Sequence, residues 1–383
     1  MKLLRNLAVA AAAVLGLSAQ AQVKIGVTLS ATGPAASLGI VEQNVFGLLP
    51  ASVQGTPVRF VVLDDGSDPT RAVQNARKLV TEEKVDVLIG STTTPGSLAV
   101  AEVAAETGTP LLAMGAGAAI VEPMDSTRKW VFKPVHNDSM MVEAIVEHMS
   151  KSGVKSVGYI GFADATGEGY LKMLQPLAEK ANIKVVAVER YARTDSSVAA
   201  QVLKLVASKP DAIFIAAFGT PAALPQLTLA ERKYAGRIYQ THGVANNDFL
   251  RVAGKSAEGT FVPVGPLLVS DQLPANHPAR AKSLEIVQSY ERKHGAGSRN
   301  TFISNAYDAY LLVANAIPVA GAKAQPGTKE FRAALRDALE ATREFAGTQG
   351  IYNMTPTDHV GLDRRSRVIV RIEGGQWKLV ADR

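Results

Sequence analysis

The chain has 383 residues, 47% hydrophobic and 20% charged, with a formal net charge of +6 and no cysteine. That length suits two ordinary domains, and the composition is that of a globular chain without low-complexity tracts. The absence of thiols excludes disulfides, thiolate catalysis and cysteine metal sites. Lys and Arg are scattered among Asp and Glu with no basic stripe interleaved with aromatics, which argues against a nucleic-acid partner.

At the N-terminus, Lys2 and Arg5 precede an apolar run from Leu7 to Leu17, followed by Ser18-Ala19-Gln20-Ala21. A basic start, a short apolar core and small residues at Ala19 and Ala21 predict a secretory signal peptide over 1–21, cleaved after Ala21. The run is shorter than the roughly 20 residues that span a bilayer, and no cysteine follows it to carry a lipid. The expectation is an exported protein that is not a lipoprotein, with a mature charge near +4 (6 − 2).

From Val23 onward apolar strands alternate with amphipathic helices. Val23 to Leu29, Pro57 to Leu63, Val85 to Ile89, Pro110 to Met114 and Val131 to Val135 read as strands. Between them, Ala72, Ala76, Leu79 and Val80 share one helix face after Pro69. Strands separated by helices mean βαβ units and a parallel sheet. The pattern restarts with a helix through Met141, Ile145, His148 and Met149. Strands follow at Ser156 to Phe162, Ile183 to Val188, Asp211 to Phe218, Arg237 to Thr241 and Gly259 to Gly265. Helical segments around Ala281 to His294, Ser304 to Ala316 and Lys329 to Ala341 come next. Val368 to Ile372 and Trp377 to Val380, joined at Gly374-Gly375, close the chain as a hairpin. The fold class expected is α/β, in two lobes of doubly wound parallel sheet.

Ligands of such sheets bind beyond the carboxyl ends of strands. Four loops there stand out. Ser30 to Gly39, including Leu38, is rich in small residues. Gly90-Ser91-Thr92-Thr93-Thr94-Pro95 offers hydroxyls and free amides at a helix start, which favours an anion. Gly115-Ala116-Gly117-Ala118-Ala119 begins like a dinucleotide fingerprint, but Ile120 stands where a third glycine belongs, so no cofactor is implied. Asp164 to Gly169 reads as a capped turn rather than a cation loop. Asp64, Asp65 and Asp68 read the same way before Pro69, with no histidine near to suggest a metal. No nucleophile elbow, zinc-binding His-Glu-x-x-His or phosphate loop is present. His242 ends a strand at a cleft-type position.

These residues carry a resemblance. Lys24-Ile25-Gly26-Val27, Asp64-Asp65-Gly66-Ser67-Asp68-Pro69, Ile89-Gly90-Ser91-Thr92, Ile120-Val121-Glu122-Pro123, Gly161-Phe162-Ala163-Asp164 through Gly169, and Thr241-His242-Gly243-Val244-Ala245-Asn246 resemble the type I periplasmic binding proteins of branched-chain amino acid ABC transporters, the leucine/isoleucine/valine-binding group. The resemblance covers the mature chain. It implies a non-catalytic periplasmic protein with two lobes joined by a three-crossing hinge, a ligand trapped between them, and delivery to a membrane ABC permease. It places 22–137 plus 263–344 in lobe 1 and 138–262 plus 345–383 in lobe 2. Hinge loops are expected near His136-Asn137-Asp138, Val262-Pro263 and Arg343 to Thr348. It also implies that Ser91, Thr92, Thr93 and the backbone of Gly115, Ala116 and Gly117 hold a ligand carboxylate, with Leu38 beside them. Thr166, Phe218 and His242 close over it.

Three departures matter. The family's hydroxyl is missing at Gly117, its aromatic at Thr166, and the acidic residue that holds an ammonium is replaced by His242. A buried ammonium without its partner costs several kcal/mol. The expected ligand is therefore a carboxylate without an α-amine, an aromatic or aliphatic acid, with protonated or donor His242 on a second polar group. A hydrophobic amino acid is the alternative. An exported α/β enzyme and a ligand sensor are the rival classes, and no catalytic constellation supports the first.

Overall fold

Strand formation follows the apolar runs. The computed structural model describes residues 22–380; the expected signal peptide lies outside the described residues. The first sheet contains β1 (Val23–Leu29), β2 (Ser52–Val53), β3 (Thr56–Asp64), β4 (Val87–Ile89), β5 (Leu111–Leu112) and β6 (Val131–Phe132). Their order is β2-β3-β1-β4-β5-β6, parallel except for the β2–β3 pair. The chain passes from β1 to one side and then to the other, so the sheet has a switch point between β1 and β4.

Helices α1 (Ala36–Phe46), α2 (Pro69–Thr81) and α3 (Thr94–Thr107) cover this sheet. Local chemistry sets where α2 starts: the Asp68 side chain accepts from the Thr70 and Arg71 amides, and Pro69 occupies the first turn. Ala72, Ala76, Leu79 and Val80 then face inward, as their spacing predicts.

The second sheet begins after α4 (Asp138–Lys151). It contains β7 (Ser156–Phe162), β8 (Lys184–Tyr191), β9 (Ala212–Ala216), β10 (Arg237–Gln240) and β11 (Phe261–Val264), linked by α5 (Ala165–Lys180), α6 (Ala199–Ala207), α7 (Ala223–Glu231) and α8 (Asn247–Ala253). In β9, Ala212, Phe214 and Ala216 enter one core while Ile213 and Ile215 enter the other. A strand buried on both faces must be apolar throughout, which is why it reads as an unbroken run.

The late helices α9 (Arg280–His294), α10 (Phe302–Gly321) and α11 (Lys329–Glu340) return to the first sheet. Ile286, Leu312, Phe331 and Leu335 lie in the same core as Val27 and Leu88. The chain closes with β14 (Val368–Glu373) and β15 (Gln376–Leu379), which pair antiparallel with each other, while β14 pairs antiparallel with β11. Gly374 and Gly375 both have positive φ (58° and 67°), the backbone that a tight hairpin of this twist needs. The architecture is the type I periplasmic binding protein fold, its second sheet mixed rather than purely parallel, in the order β15-β14-β11-β10-β9-β7-β8.

The third crossing differs from expectation. Residues 345–362, expected with the second lobe, pack into the first. They form the short pair β12 (Phe345–Ala346) and β13 (Ile351–Tyr352), and Tyr352, Met354, Val360 and Leu362 bury in the first core. The cause is Asp308 of α10. Its buried carboxylate accepts from the Thr348 amide (2.8 Å), the Thr348 hydroxyl (2.8 Å), the Gln349 amide (3.0 Å) and the Tyr352 hydroxyl (2.8 Å). The chain therefore leaves the first lobe only near Asp363 to Arg367. At the passage the His136 ring bonds the Ser366 carbonyl, and a side chain at Gly265 would stand 3.1 Å from that ring. All three crossings meet around His136.

Asp308→Ala strands these buried donors without an acceptor. It is expected to lower the unfolding free energy by roughly 3 kcal/mol, read from urea denaturation; a loss within the noise of the extrapolation would mean the carboxylate does not hold this segment.

Candidate ligand site between the lobes

Both sheets point the carboxyl ends of their strands at one cleft, the location where open α/β sheets bind ligands. From the first lobe the cavity is lined by Leu38 of α1, Thr92, Thr93 and Thr94 at the start of α3, and Ala116 after β5. From the second it is lined by Thr166 and Tyr170 of α5, Phe218 after β9, and His242 after β10. Seven of the predicted residues are thus brought together: Leu38, Thr92, Thr93, Ala116, Thr166, Phe218 and His242. Ser91, Gly115 and Gly117 are not in the wall.

The hydroxyl run is divided between structure and site. The Ser91 hydroxyl donates to Asp65 at 2.7 Å, as does that of Ser30, so Asp65 ties the β1 and β4 loops together. Thr92 accepts from the Ser30 amide at 3.0 Å and donates to Glu42 at 2.5 Å. Thr93 caps α3 by accepting from the Gly96 amide (3.2 Å), and Thr94 accepts from the Gly117 amide (3.1 Å). A hydroxyl that accepts one bond still has its proton to donate. Thr93 and Thr94 therefore present O–H donors at the cavity, beside the Thr94 amide that begins the helix, Pro95 having no N–H and the Gly96 amide being capped.

The glycines serve packing. The Gly115 amide donates to the Ser97 hydroxyl at 3.2 Å. A side chain at Gly117 would stand 2.5 Å from the Thr94 methyl, and one at Gly115 would stand 2.7 Å from the Ser97 hydroxyl. The missing hydroxyl at 117 is the consequence of a loop pressed onto the start of α3, and only Ala116 between the glycines faces the cavity.

The opposite wall holds the residue that sequence reasoning missed. Asp138, at the start of α4, lines the cavity and is 2% exposed. Its carboxylate accepts from the Tyr170 hydroxyl and lies 4.0 Å from His242 Nε2. The cleft thus has an acidic side chain after all, supplied by the first crossing rather than by the β10 loop. Burial raises Asp138 to about 6, opposed chiefly by the charge of Lys133 and then by the Tyr170 hydrogen bond. His242 is pushed down to about 3 by burial and by Lys133. His242 is therefore neutral near pH 7, which removes its expected protonated role, and the 4.0 Å approach to Asp138 is not an ion pair. Beside them, the Arg193 guanidinium sits 4.2 Å over the Phe218 ring and bonds the Thr166 hydroxyl at 3.2 Å, holding that wall in place.

The lobes are closed on each other. Ala35, Leu38 and Phe302 of the first lobe bury in the core of the second. The Thr301 amide donates across the cleft to the Ala245 carbonyl at 3.3 Å. The void between them is about 30 Å³, room for roughly two water molecules.

Glu42, behind Thr92, is raised to about 8 by burial, with the Thr92 hydrogen bond the largest opposing influence. The folded state keeps a proton that the unfolded chain gives up near 4.5. Its contribution to stability is complete below that value and is lost as pH rises through about 8. Glu42→Gln removes this loss. By calorimetry the variant is expected to gain stability over the parent on going from acid to mildly alkaline pH, by on the order of a few kcal/mol. Parallel pH profiles for the two proteins would contradict it.

Comparisons with known proteins agree with this geometry. A family model described as periplasmic binding protein matches residues 22–376. An extracellular ligand-binding receptor from Rhodopseudomonas palustris HaA2, known from its crystal structure, is 48% identical over 94% of this chain and 100% of its own, with a TM-score of 0.91. The leucine-, isoleucine-, valine-, threonine- and alanine-binding protein of Pseudomonas aeruginosa is 24% identical over 78% of this chain and 79% of its own. A Rhodopseudomonas palustris solute-binding protein solved with benzoate is 22% identical over 94% of this chain and 98% of its own, with a TM-score of 0.79, a likeness of fold. The chain belongs to the periplasmic binding protein family, as a relative of its Leu/Ile/Val-binding members, and is a solute-binding protein rather than an enzyme.

Proposed function

We propose that this periplasmic protein captures a small carboxylate without an α-amine between its lobes and hands it to an ABC permease. The observation that carries the reading is the asymmetry of the cleft. One wall presents the Thr93 and Thr94 hydroxyls at the start of α3, donors matched to a carboxylate. The other presents Asp138, already engaged by Tyr170 and facing neutral His242. Between them Leu38, Met114, Val135, Phe218 and Phe302 suit an apolar body, aromatic or aliphatic. The same fold accommodates benzoate, a carboxylate without an amine, in a Rhodopseudomonas palustris protein. Export through a signal peptide cut after Ala21, with no lipid anchor, belongs to this reading and rests on the sequence.

A hydrophobic amino acid is the second reading. It is favoured by Asp138 itself, a carboxylate in the wall that could meet an ammonium, and by the amino-acid names of relatives.

A thermal-shift screen over amino acids, dicarboxylates and aromatic and aliphatic acids separates them. A ligand at about 100 times its dissociation constant should add roughly 2.7 kcal/mol of stability. Amine-free acids are expected to shift the melting point and leucine is not; micromolar leucine binding by isothermal titration would sink the reading. Thr94→Val is expected to weaken the bound acid by about tenfold or more, since a hydrogen bond to a charged group contributes roughly 1.5–3 kcal/mol.

A further inference from the structure

Behind the cleft wall stands a cation outside the residues that line the cavity. Lys133, the residue after β6, is 0% exposed. Its Nζ donates to the Ala116 carbonyl at 2.7 Å and to the His136 carbonyl at 3.0 Å. The Ala116 carbonyl also accepts from the Asp138 amide at 3.1 Å. One carbonyl thus fixes the ammonium beside the segment that carries the carboxylate of the cleft. We infer that Lys133 determines the charge this cleft accepts: its ammonium neutralises Asp138 from behind the wall, so the site takes a carboxylate and refuses a cationic second group.

Buried ions are stable only when paired. Among the described residues Lys133 is the charge that most favours ionised Asp138, and Asp138 the charge that most favours protonated Lys133, with Glu122 and Asp358 acting more weakly on the lysine. Burial pulls Lys133 down and Asp138 up, and the charge of each opposes that shift in the other. A ligand ammonium placed against Asp138 would meet a carboxylate already accepting from Tyr170 and, beyond the Ala116 carbonyl, a second cation, in surroundings of low dielectric where like charges repel strongly. Burial is the main cause that lowers His242, and the charge of Lys133 adds to it without touching the ligand. Lys133 is therefore a positioning and specificity residue, and the inference rests on the capture reading above.

The test uses matched pairs that differ only by the ammonium: leucine with isocaproate, and phenylalanine with hydrocinnamate. Each is titrated calorimetrically into the parent, Lys133→Met and Asp138→Asn. In Lys133→Met the preference for the acid over its amino acid is expected to fall by about tenfold or more, because Asp138 becomes available to an ammonium. In Asp138→Asn, Lys133 is left uncompensated; the acids are expected to bind about threefold tighter or better, with the amino acids still excluded. An unchanged preference in folded Lys133→Met, or weaker acid binding by Asp138→Asn, overturns the inference. If circular dichroism shows Lys133→Met unfolded, Asp138→Asn decides alone. If the parent protein prefers the amino acids, or binds neither acid, the capture reading falls and this one with it. A parent that prefers the acids and a Lys133→Met that keeps the preference removes the role of Lys133 alone.

Discussion

Three stretches of chain run between the two sheets through a buried passage, and a buried backbone must have every polar group paired. Much of the molecule is arranged to meet that demand. The Pro134 carbonyl accepts from the Gln349 side chain at 2.7 Å, and the Tyr352 hydroxyl that serves Asp308 lies 2.6 Å from the same carbonyl. The His136 carbonyl and the Ala116 carbonyl are satisfied by Lys133, and the Ser366 carbonyl by the His136 ring. The pairing network that makes the passage feasible is continuous with the wall of the cleft, since Ala116 and Asp138 belong to both.

That continuity explains why charge enters the site where it does. A loop at the end of a strand is close to solvent and can carry polar side chains at little cost. The passage is not, and there Lys133 and the segment of Asp138 are tied through the one Ala116 carbonyl, where lobe 1 turns into lobe 2. The first lobe contributes neutral donors: hydroxyls anchored to Glu42, Gly96 and Gly117, and the open end of α3. Under the proposed reading an anion is met by dipoles on one side rather than by a bare cation in the cavity.

Most of the architecture was legible in the sequence. Strands such as β1 and β9 are buried on both faces, so burial itself wrote a continuous apolar run, and α2 announced its start through Asp68-Pro69. The residues that were misplaced had other causes. Segment 345–362 has strands of two residues each, too short to leave a period, and its attachment depends on Asp308, about forty positions earlier. Asp138 was expected only as part of a hinge loop, His136-Asn137-Asp138: it follows no glycine-rich turn, and nothing in the sequence signals that the first crossing also faces the cleft. Ser91, Gly115 and Gly117 do not line the cavity: a row of small and hydroxylated residues looks alike whether it faces a cavity or lets two loops press together.

The burial of Ala35, Leu38 and Phe302 in the opposite lobe has a consequence for how affinity is distributed. Apolar surface that disappears on closing stabilises the shut form independently of any cargo, by about 25 cal/mol for each Å² removed from water. The observed dissociation constant is then the intrinsic one divided by the fraction of molecules already competent to bind. Residues on this seam can therefore tune how much solute the protein retains, and how readily a membrane partner can prise the lobes apart, while making no contact with the solute at all.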